Sequence, residues 1–161
     1  MTIRGKKVVW ASITWFAASV FVASVNADDA ELESANSRYQ MAAVIDRARG
    51  NAVMAGDYQK AIAKLDSRGL KCFEASTNLC VAYTMTGELE KADQACAAAL
   101  MLSKKSEERR DMAVALSNLG VVKAIGGDHR GAREDFSRAL ELNAGLQQAS
   151  ENLQRLRDGD A

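Results

Sequence analysis

Residues 113–144, AVALSNLGVVKAIGGDHRGAREDFSRALELNA, contain the pattern that decides the fold. Apolar or small residues recur at helical spacing on both sides of one interruption. They are Leu116, Leu119 and Gly120 before it, and Ala132, Phe136, Ala139 and Leu140 after it. The interruption, Gly126-Gly127-Asp128, combines a C-cap glycine with an N-capping aspartate. The stretch therefore predicts two antiparallel helices joined by a tight turn.

The same turn signal occurs three times in the chain. A glycine, an acidic residue and an alanine five residues after the glycine recur as Gly56-Asp57…Ala61, Gly87-Glu88…Ala92 and Gly127-Asp128…Ala132. Successive glycines are 31 and 40 residues apart, which brackets a period of about 34 residues. A hairpin of this kind cannot bury its apolar face alone, so the repetition predicts stacked hairpins.

The repeated pattern resembles the tetratricopeptide repeat family. The residues that carry the resemblance are Leu119-Gly120, Gly127, Ala132, Phe136 and Ala139. Lys123 stands where the family usually has an aromatic residue, and Ala144 stands where it usually has a proline. The resemblance implies an all-α fold, a right-handed superhelix of about three helical hairpins with a C-terminal capping helix.

The expected domain covers residues 39–160. Its hairpins are predicted at about residues 39–68, 73–104 and 109–142, with the cap at residues 145–158. The first helix is predicted over residues 39–55. The charged residues 104–110 contain no proline or glycine, so we expect them to extend the helices on either side.

Residues 1–27 have the order of a cleaved signal peptide. Three basic residues precede an apolar run at residues 8–22, and small residues follow at positions 24–27. The other interpretation is an uncleaved anchor, but the run is shorter than the roughly 20 residues of a typical span. We expect an exported protein of a bacterial periplasm, with an acidic lead-in at residues 28–38 and no membrane span after cleavage.

Composition and motifs argue against catalysis and nucleic-acid binding. Residues 28–161 hold 18 basic and 21 acidic side chains, a net charge near −3, whereas nucleic-acid binders usually present a basic face. A lone His129 and three scattered cysteines do not form a metal site. No phosphate-binding glycine motif occurs. We therefore expect a protein that is not an enzyme and has no cofactor or metal.

The remaining class is a protein-interaction module. In the tetratricopeptide family the first helix of each hairpin lines a concave groove, and asparagines there often bind a peptide backbone. The groove residues expected from the resemblance are Arg47, Asn78, Val81, Met85, Asn118, Val121 and Ile125. The partner is a peptide or helical segment of another envelope protein. The alternatives are a structural homo-oligomer and an accessory that presents a substrate to an envelope enzyme.

Two cysteines occupy matching positions in the second hairpin. Cys80 and Cys96 are each eight residues from Glu88, and Gly120 and Phe136 are each eight residues from Asp128. Residues symmetric about the turn lie opposite one another, which predicts a disulfide in an oxidising compartment. The alternative is that both thiols are reduced core residues. In either case Cys72 is left as a free or partner-linked thiol.

Overall fold

The structure is a computed structural model that describes residues 38–44, 52–66 and 69–159. Within these ranges the chain forms six α-helices and no strand, which confirms the all-α class. In chain order the helices are α1 (Tyr58–Leu65), α2 (Phe73–Met85), α3 (Leu89–Ser106), α4 (Arg109–Ile125), α5 (His129–Leu142) and α6 (Gln147–Gly159). The predicted signal peptide, the lead-in up to residue 37 and Arg47 lie outside the described residues.

Consecutive helices pack against each other, as α2 on α3 and α4 on α5. Helix α2 also contacts α4, and α4 also contacts α6, so these three helices form one row. The predicted helix extensions are present, because α3 continues to Ser106 and α4 begins at Arg109. Between them Glu107 takes a left-handed conformation, with φ of 58°. Across the described ranges, no helix combines the length and apolar character that a membrane span requires.

The three predicted turns share one backbone geometry. Gly56, Gly87 and Gly127 have φ of 79°, 80° and 85°, a conformation that glycine adopts without a steric penalty. In each turn the N–H of the next, acidic residue donates to the carbonyl five residues earlier, at 2.8, 2.9 and 2.8 Å. In the third turn the Asp128 carboxylate also accepts the Gly131 N–H at 2.9 Å, which confirms the predicted N-cap.

The pairing of Gly120 with Phe136 is confirmed. Phe136 is fully buried, and a Cβ atom built on Gly120 lies only 2.7 Å from the ring Cε1. The ring therefore occupies the space that a side chain on α4 would need. This contact fixes how closely α4 and α5 approach each other, and hence how α4 is placed in the row.

Lys123, at the position expected to be aromatic, forms an ion pair instead. Its Nζ lies 2.6 Å from Oδ2 of Asp135, whose side chain is 7% exposed. In the preceding hairpin Tyr83 holds the corresponding position, and its hydroxyl donates to Asp66 at 2.9 Å. Burial, and then this hydrogen bond, raise the pKa of Tyr83 to about 12. Both side chains therefore link the first helix of a hairpin to a neighbouring element through a carboxylate.

The predicted disulfide between Cys80 and Cys96 is present. Their Cα atoms are 5.0 Å apart, and both residues are fully buried. The bond joins α2 to α3 two residues after Asn78. Among the described residues Cys72 is a free cysteine. A disulfide is compatible with an exported protein.

Reduction of this disulfide is expected to lower the free energy of unfolding by on the order of 3 kcal/mol, because it closes a loop of 16 residues. Urea unfolding with and without a reductant measures the difference. A Cys80→Ala/Cys96→Ala double variant, which leaves Cys72 in place, is the control and should not respond to reductant. Labelling of the unfolded, unreduced protein should find one reactive thiol per chain; three would contradict the bond.

The predicted first helix, at residues 39–55, is wrong wherever it is described. Residues 40–44 adopt no helix or turn, and residues 52–56 form a turn that precedes α1. Apolar spacing predicts a helix here, but Gln40, Ala42 and Val44 hydrogen-bond to side chains far away in the sequence.

Candidate functional site

Three asparagines bind the backbone of residues 39–44, which we call the docked segment. Asn152 accepts the N–H of Gln40 at 2.8 Å and donates to its carbonyl at 2.7 Å. Asn118 makes the same two bonds to Ala42, both at 2.8 Å. Asn78 makes them to Val44, at 3.0 and 2.9 Å. Each amide therefore satisfies both backbone groups of one residue.

The spacing of these bonds requires an extended chain. In an extended chain the N–H and C=O of one residue point to the same side, and every second residue repeats that direction. The bonded residues, Gln40, Ala42 and Val44, follow this period of two. A helical segment has no free backbone groups to offer, because its own hydrogen bonds use them.

The asparagines lie on the row of helices that contact one another. Asn78 belongs to α2, Asn118 to α4 and Asn152 to α6, and all three are buried. We call the surface that carries them the asparagine face. The docked segment crosses it from α6 to α2, in the direction opposite to the order of these helices in the chain.

The side chains of the docked segment alternate between two environments. Tyr39 is 9% exposed and belongs to an apolar cluster with Val121 and Leu153. Met41 packs against three of the apolar clusters, and Ala43 packs against the cluster that contains Val81. The side chain of Gln40 is exposed. The apolar clusters therefore contact the odd-numbered side chains, of which Tyr39 is buried and Met41 and Ala43 are partly buried.

The described groove residues expected from the resemblance lie together on or beside the asparagine face. Asn78 and Asn118 bind a backbone, as expected of such asparagines, although the backbone belongs to the chain itself. Val81 and Val121 are buried in the clusters against which Ala43 and Tyr39 pack. Met85 and Ile125 are partly buried at the edges of these clusters. Whether these residues bind a partner stays a prediction.

Asn152 and the docked segment itself were not predicted from the sequence. The signal for Asn152 is a repeated pattern, an alanine three residues before an Asn-Leu pair. It occurs as Ala75…Asn78-Leu79, Ala115…Asn118-Leu119 and Ala149…Asn152-Leu153. The asparagines are 40 and 34 residues apart. The prediction of a cap at residues 145–158 assigns this asparagine no role.

Further polar contacts hold the N-terminal end of the docked segment. The Gln40 side chain donates to Glu151 at 2.7 Å. Glu151 in turn accepts hydrogen bonds from Gln147, at 2.7 Å, and from Arg155, at 3.2 Å. Because these groups are only partly buried or exposed, we expect them to add less than the asparagine bonds.

A cavity of about 680 Å³ adjoins the other end of the docked segment. Its wall includes Ala42, Val44, Arg110, Asp111 and Gln147. Burial raises the pKa of Asp111 above its ordinary value of 3.8, and the carboxylates of Glu108 and Glu74 raise it further. The position of Asp111 in the first turn of α4 favours a charge, but burial and these neighbours outweigh it.

Asp111→Asn is expected to raise the melting temperature at pH 7 and to leave it unchanged at pH 3. A raised pKa means that the folded state disfavours the carboxylate. The penalty is therefore absent below the ordinary pKa and grows as the pH rises through the raised value. Thermal unfolding at both pH values measures this. Asp93→Asn, at an exposed site, controls for the change in net charge, and a lower melting temperature for Asp111→Asn at pH 7 would contradict the argument.

Among the described residues, three buried hydroxyls have no hydrogen-bond partner. They belong to Ser76, Thr77 and Ser117. Thr77 and Ser117 immediately precede Asn78 and Asn118 in the sequence. Because Ser117 makes no hydrogen bond, it provides a matched control for changes at Asn118.

No protein-family model matches this chain, and a search of curated proteins finds no match. Within the described part of the chain, no group of three or more histidine, cysteine, aspartate or glutamate side chains is arranged to hold a metal ion. The geometry of the asparagine face is therefore the main observation on which a function can be proposed.

Proposed function

We propose that the chain is a non-catalytic protein-interaction module whose asparagine face binds an extended segment of another protein. The observation that carries this proposal is the set of three asparagines, each of which binds both backbone groups of one residue, so that together they bind every second residue of the docked segment. Such bonds do not depend on the side chains of the ligand. The face is thus suited to polypeptide in an extended conformation, and the apolar clusters beside it supply the selectivity.

The proposed ligand is an extended segment, which is more specific than the peptide or helical segment predicted from the sequence. The sequence alone is also compatible with a helical segment as the partner. A helix in the place of residues 39–44 would leave the amides of Asn78, Asn118 and Asn152 without backbone partners. Each buried amide left unpaired costs about 1–3 kcal/mol, so a helical ligand is disfavoured.

We further propose that the helices follow the tetratricopeptide arrangement, a right-handed superhelix in which α2, α4 and α6 line the concave side. The support is the repeated turn geometry and the recurrence of Asn-Leu at spacings near 34 residues. The signal-like residues 1–27 and the disulfide support an exported protein of the bacterial periplasm. The partner is then another protein of the cell envelope.

The test uses backbone methylation of a peptide ligand. The full-length Ala42→Pro variant releases the docked segment, because the proline ring takes the place of the N–H that faces Asn118. A fluorescent peptide with the sequence of residues 38–44, RYQMAAV, should bind this variant. N-methylation of the peptide at Ala42 should weaken binding by about tenfold or more, whereas N-methylation at Ala43, which has no bond to an asparagine, should change it little.

Two further variants locate the binding surface. Asn118→Asp in the Ala42→Pro background should weaken binding, because a carboxylate cannot donate to the peptide carbonyl. Arg138→Glu, on the exposed side of α5, should leave binding unchanged. Equal affinities for the two methylated peptides, or no binding to a folded Ala42→Pro variant, would exclude the proposed function.

A further inference from the structure

We propose that the docked segment is an internal competitor for the asparagine face, and that the partner segment which displaces it repeats its alternating pattern. In the direction from Asn152 to Asn78, that pattern is an aromatic residue, any residue, a long unbranched apolar residue, any residue and a small residue. This inference rests on the proposed function. It adds the chemistry of the partner and the regulation of the site.

The competition follows from the hydrogen bonds. The docked segment uses both polar groups of Asn78, Asn118 and Asn152, so a partner cannot form these bonds until the segment leaves. A ligand in the same chain is also present at a high effective concentration. The apparent affinity for a partner is then reduced in proportion to the fraction of molecules with an open face.

The required side chains follow from the contacts of the odd-numbered positions. Tyr39 fills a place in the cluster with Val121, Leu153 and Leu156, where a large apolar ring is needed to exclude water. Met41 packs against three clusters. An unbranched, flexible side chain fits such a position best, because it can adapt to several surfaces. Ala43 packs against the cluster of Val81 and Ala82 and also borders the cavity of about 680 Å³, so a small side chain is sufficient at this position.

The even-numbered positions place few limits on the partner. Gln40 is exposed, and Ala42 and Val44 line the cavity of about 680 Å³. The cavity wall carries the charged groups of Arg110 and Asp111, so a longer polar side chain fits in place of the Ala42 methyl group. Changes at the even-numbered positions should therefore be tolerated as long as the backbone stays extended.

The experiment compares three labelled peptides on three full-length proteins. The peptides are RYQMAAV, an inward variant with Tyr39→Ala and Met41→Ala, and an outward variant with Gln40→Ser and Ala42→Gln. The proteins are the wild type, Ala42→Pro and Gln40→Pro. The second proline variant, Gln40→Pro, removes the hydrogen bond from the Gln40 N–H to Asn152. It is included because Gln40 is exposed, so the substitution is less disruptive to folding. Circular dichroism checks the fold and fluorescence anisotropy measures binding.

We expect RYQMAAV to bind the proline variants at least about tenfold more tightly than the wild type, which must first release its own segment. The inward variant should lose on the order of 100-fold in affinity, because it truncates the buried ring of Tyr39 and the partly buried side chain of Met41. The outward variant should stay within about threefold of RYQMAAV, since its changed side chains face solvent or the cavity.

Four results would overturn the inference. Equal affinity for the wild type and both proline variants means that the docked segment does not compete. Equal affinity of RYQMAAV and the inward variant rejects the pattern but leaves the proposed function intact. Loss of helical signal in both proline variants means that the docked segment is a fixed part of the fold. If no peptide binds a folded proline variant, the proposed function fails together with this inference.

Discussion

Phe136→Ala is expected to lower the free energy of unfolding by roughly 3–5 kcal/mol. The ring is fully buried between α4 and α5, and Gly120 provides no side chain to fill the space that the ring leaves. A loss of this size is a large share of the stability of a small domain. Urea unfolding followed by circular dichroism measures it. Phe136→Leu, which keeps most of the apolar volume, should lose clearly less.

Gly120→Ala tests the same contact, because its effect on stability should depend on whether the Phe136 ring is present. In the wild type the added methyl group lies 2.7 Å from the Phe136 ring, so the ring must move and stability should fall. In the Phe136→Ala background the ring is gone, and the nearest remaining contact is the backbone carbonyl oxygen of Ala132, 3.2 Å from the added Cβ atom. The loss of stability should then be smaller by about 1 kcal/mol or more, because alanine favours a helix more than glycine does and only this carbonyl has to shift. An equal loss in both backgrounds would contradict the packing of α4 on α5.

Local signals were sufficient to predict the turns and the contacts across a hairpin. A left-handed glycine is a property of three or four adjacent residues, so Gly87 and Gly127 were recognisable without any tertiary information. Once a turn is placed, the antiparallel direction of its helices fixes which residues face each other. The pairs Cys80–Cys96 and Gly120–Phe136 were predicted from this symmetry alone.

The extended conformation of residues 39–44 could not be predicted from local sequence signals. The sequence YQMAAV contains good helix formers and fits a helical spacing as well as an alternating one over so short a run. The groups that decide the matter, Asn78, Asn118 and Asn152, are 34 to 112 residues away in the chain. A tertiary interaction of this range outweighs the helix propensity of a few residues.

Only part of the candidate site could be predicted from the sequence, because the role of Asn152 also depends on tertiary contacts. The resemblance identified Asn78 and Asn118 because they occupy the same place in two hairpins. Asn152 has the same local pattern, but its helix has no second helix of a hairpin after it among the described residues. The role of α6 became clear only from its contact with α4 and from the backbone of Gln40.

The second large effect concerns Asn118, the middle asparagine. Asn118→Ala is expected to speed amide hydrogen exchange at Ala42 by roughly 30-fold to 1,000-fold. The change removes both bonds to Ala42, and losing two such bonds corresponds to about 2–4 kcal/mol. Exchange measured by NMR on the intact chain reports this opening directly.

Ser117→Ala is the matched control for this change. It alters the neighbouring buried residue on α4, but the Ser117 hydroxyl has no hydrogen bond to lose. Exchange at Ala42 should therefore stay close to the wild-type rate, and overall stability should be unchanged or slightly higher.

The set of amides that exchange faster in Asn118→Ala shows whether the docked segment opens separately or belongs to the cooperative core. If residues 39–44 open separately from the helices, Asn118→Ala speeds exchange at Gln40, Ala42 and Val44 and leaves the central amides of α2 and α4 protected. We expect this result, because the segment is held by three side-chain amides and by alternate side chains rather than by a helix of its own. A uniform rise in exchange through α2 and α4 would instead make the segment part of the cooperative core, and no partner would then displace it without unfolding the protein.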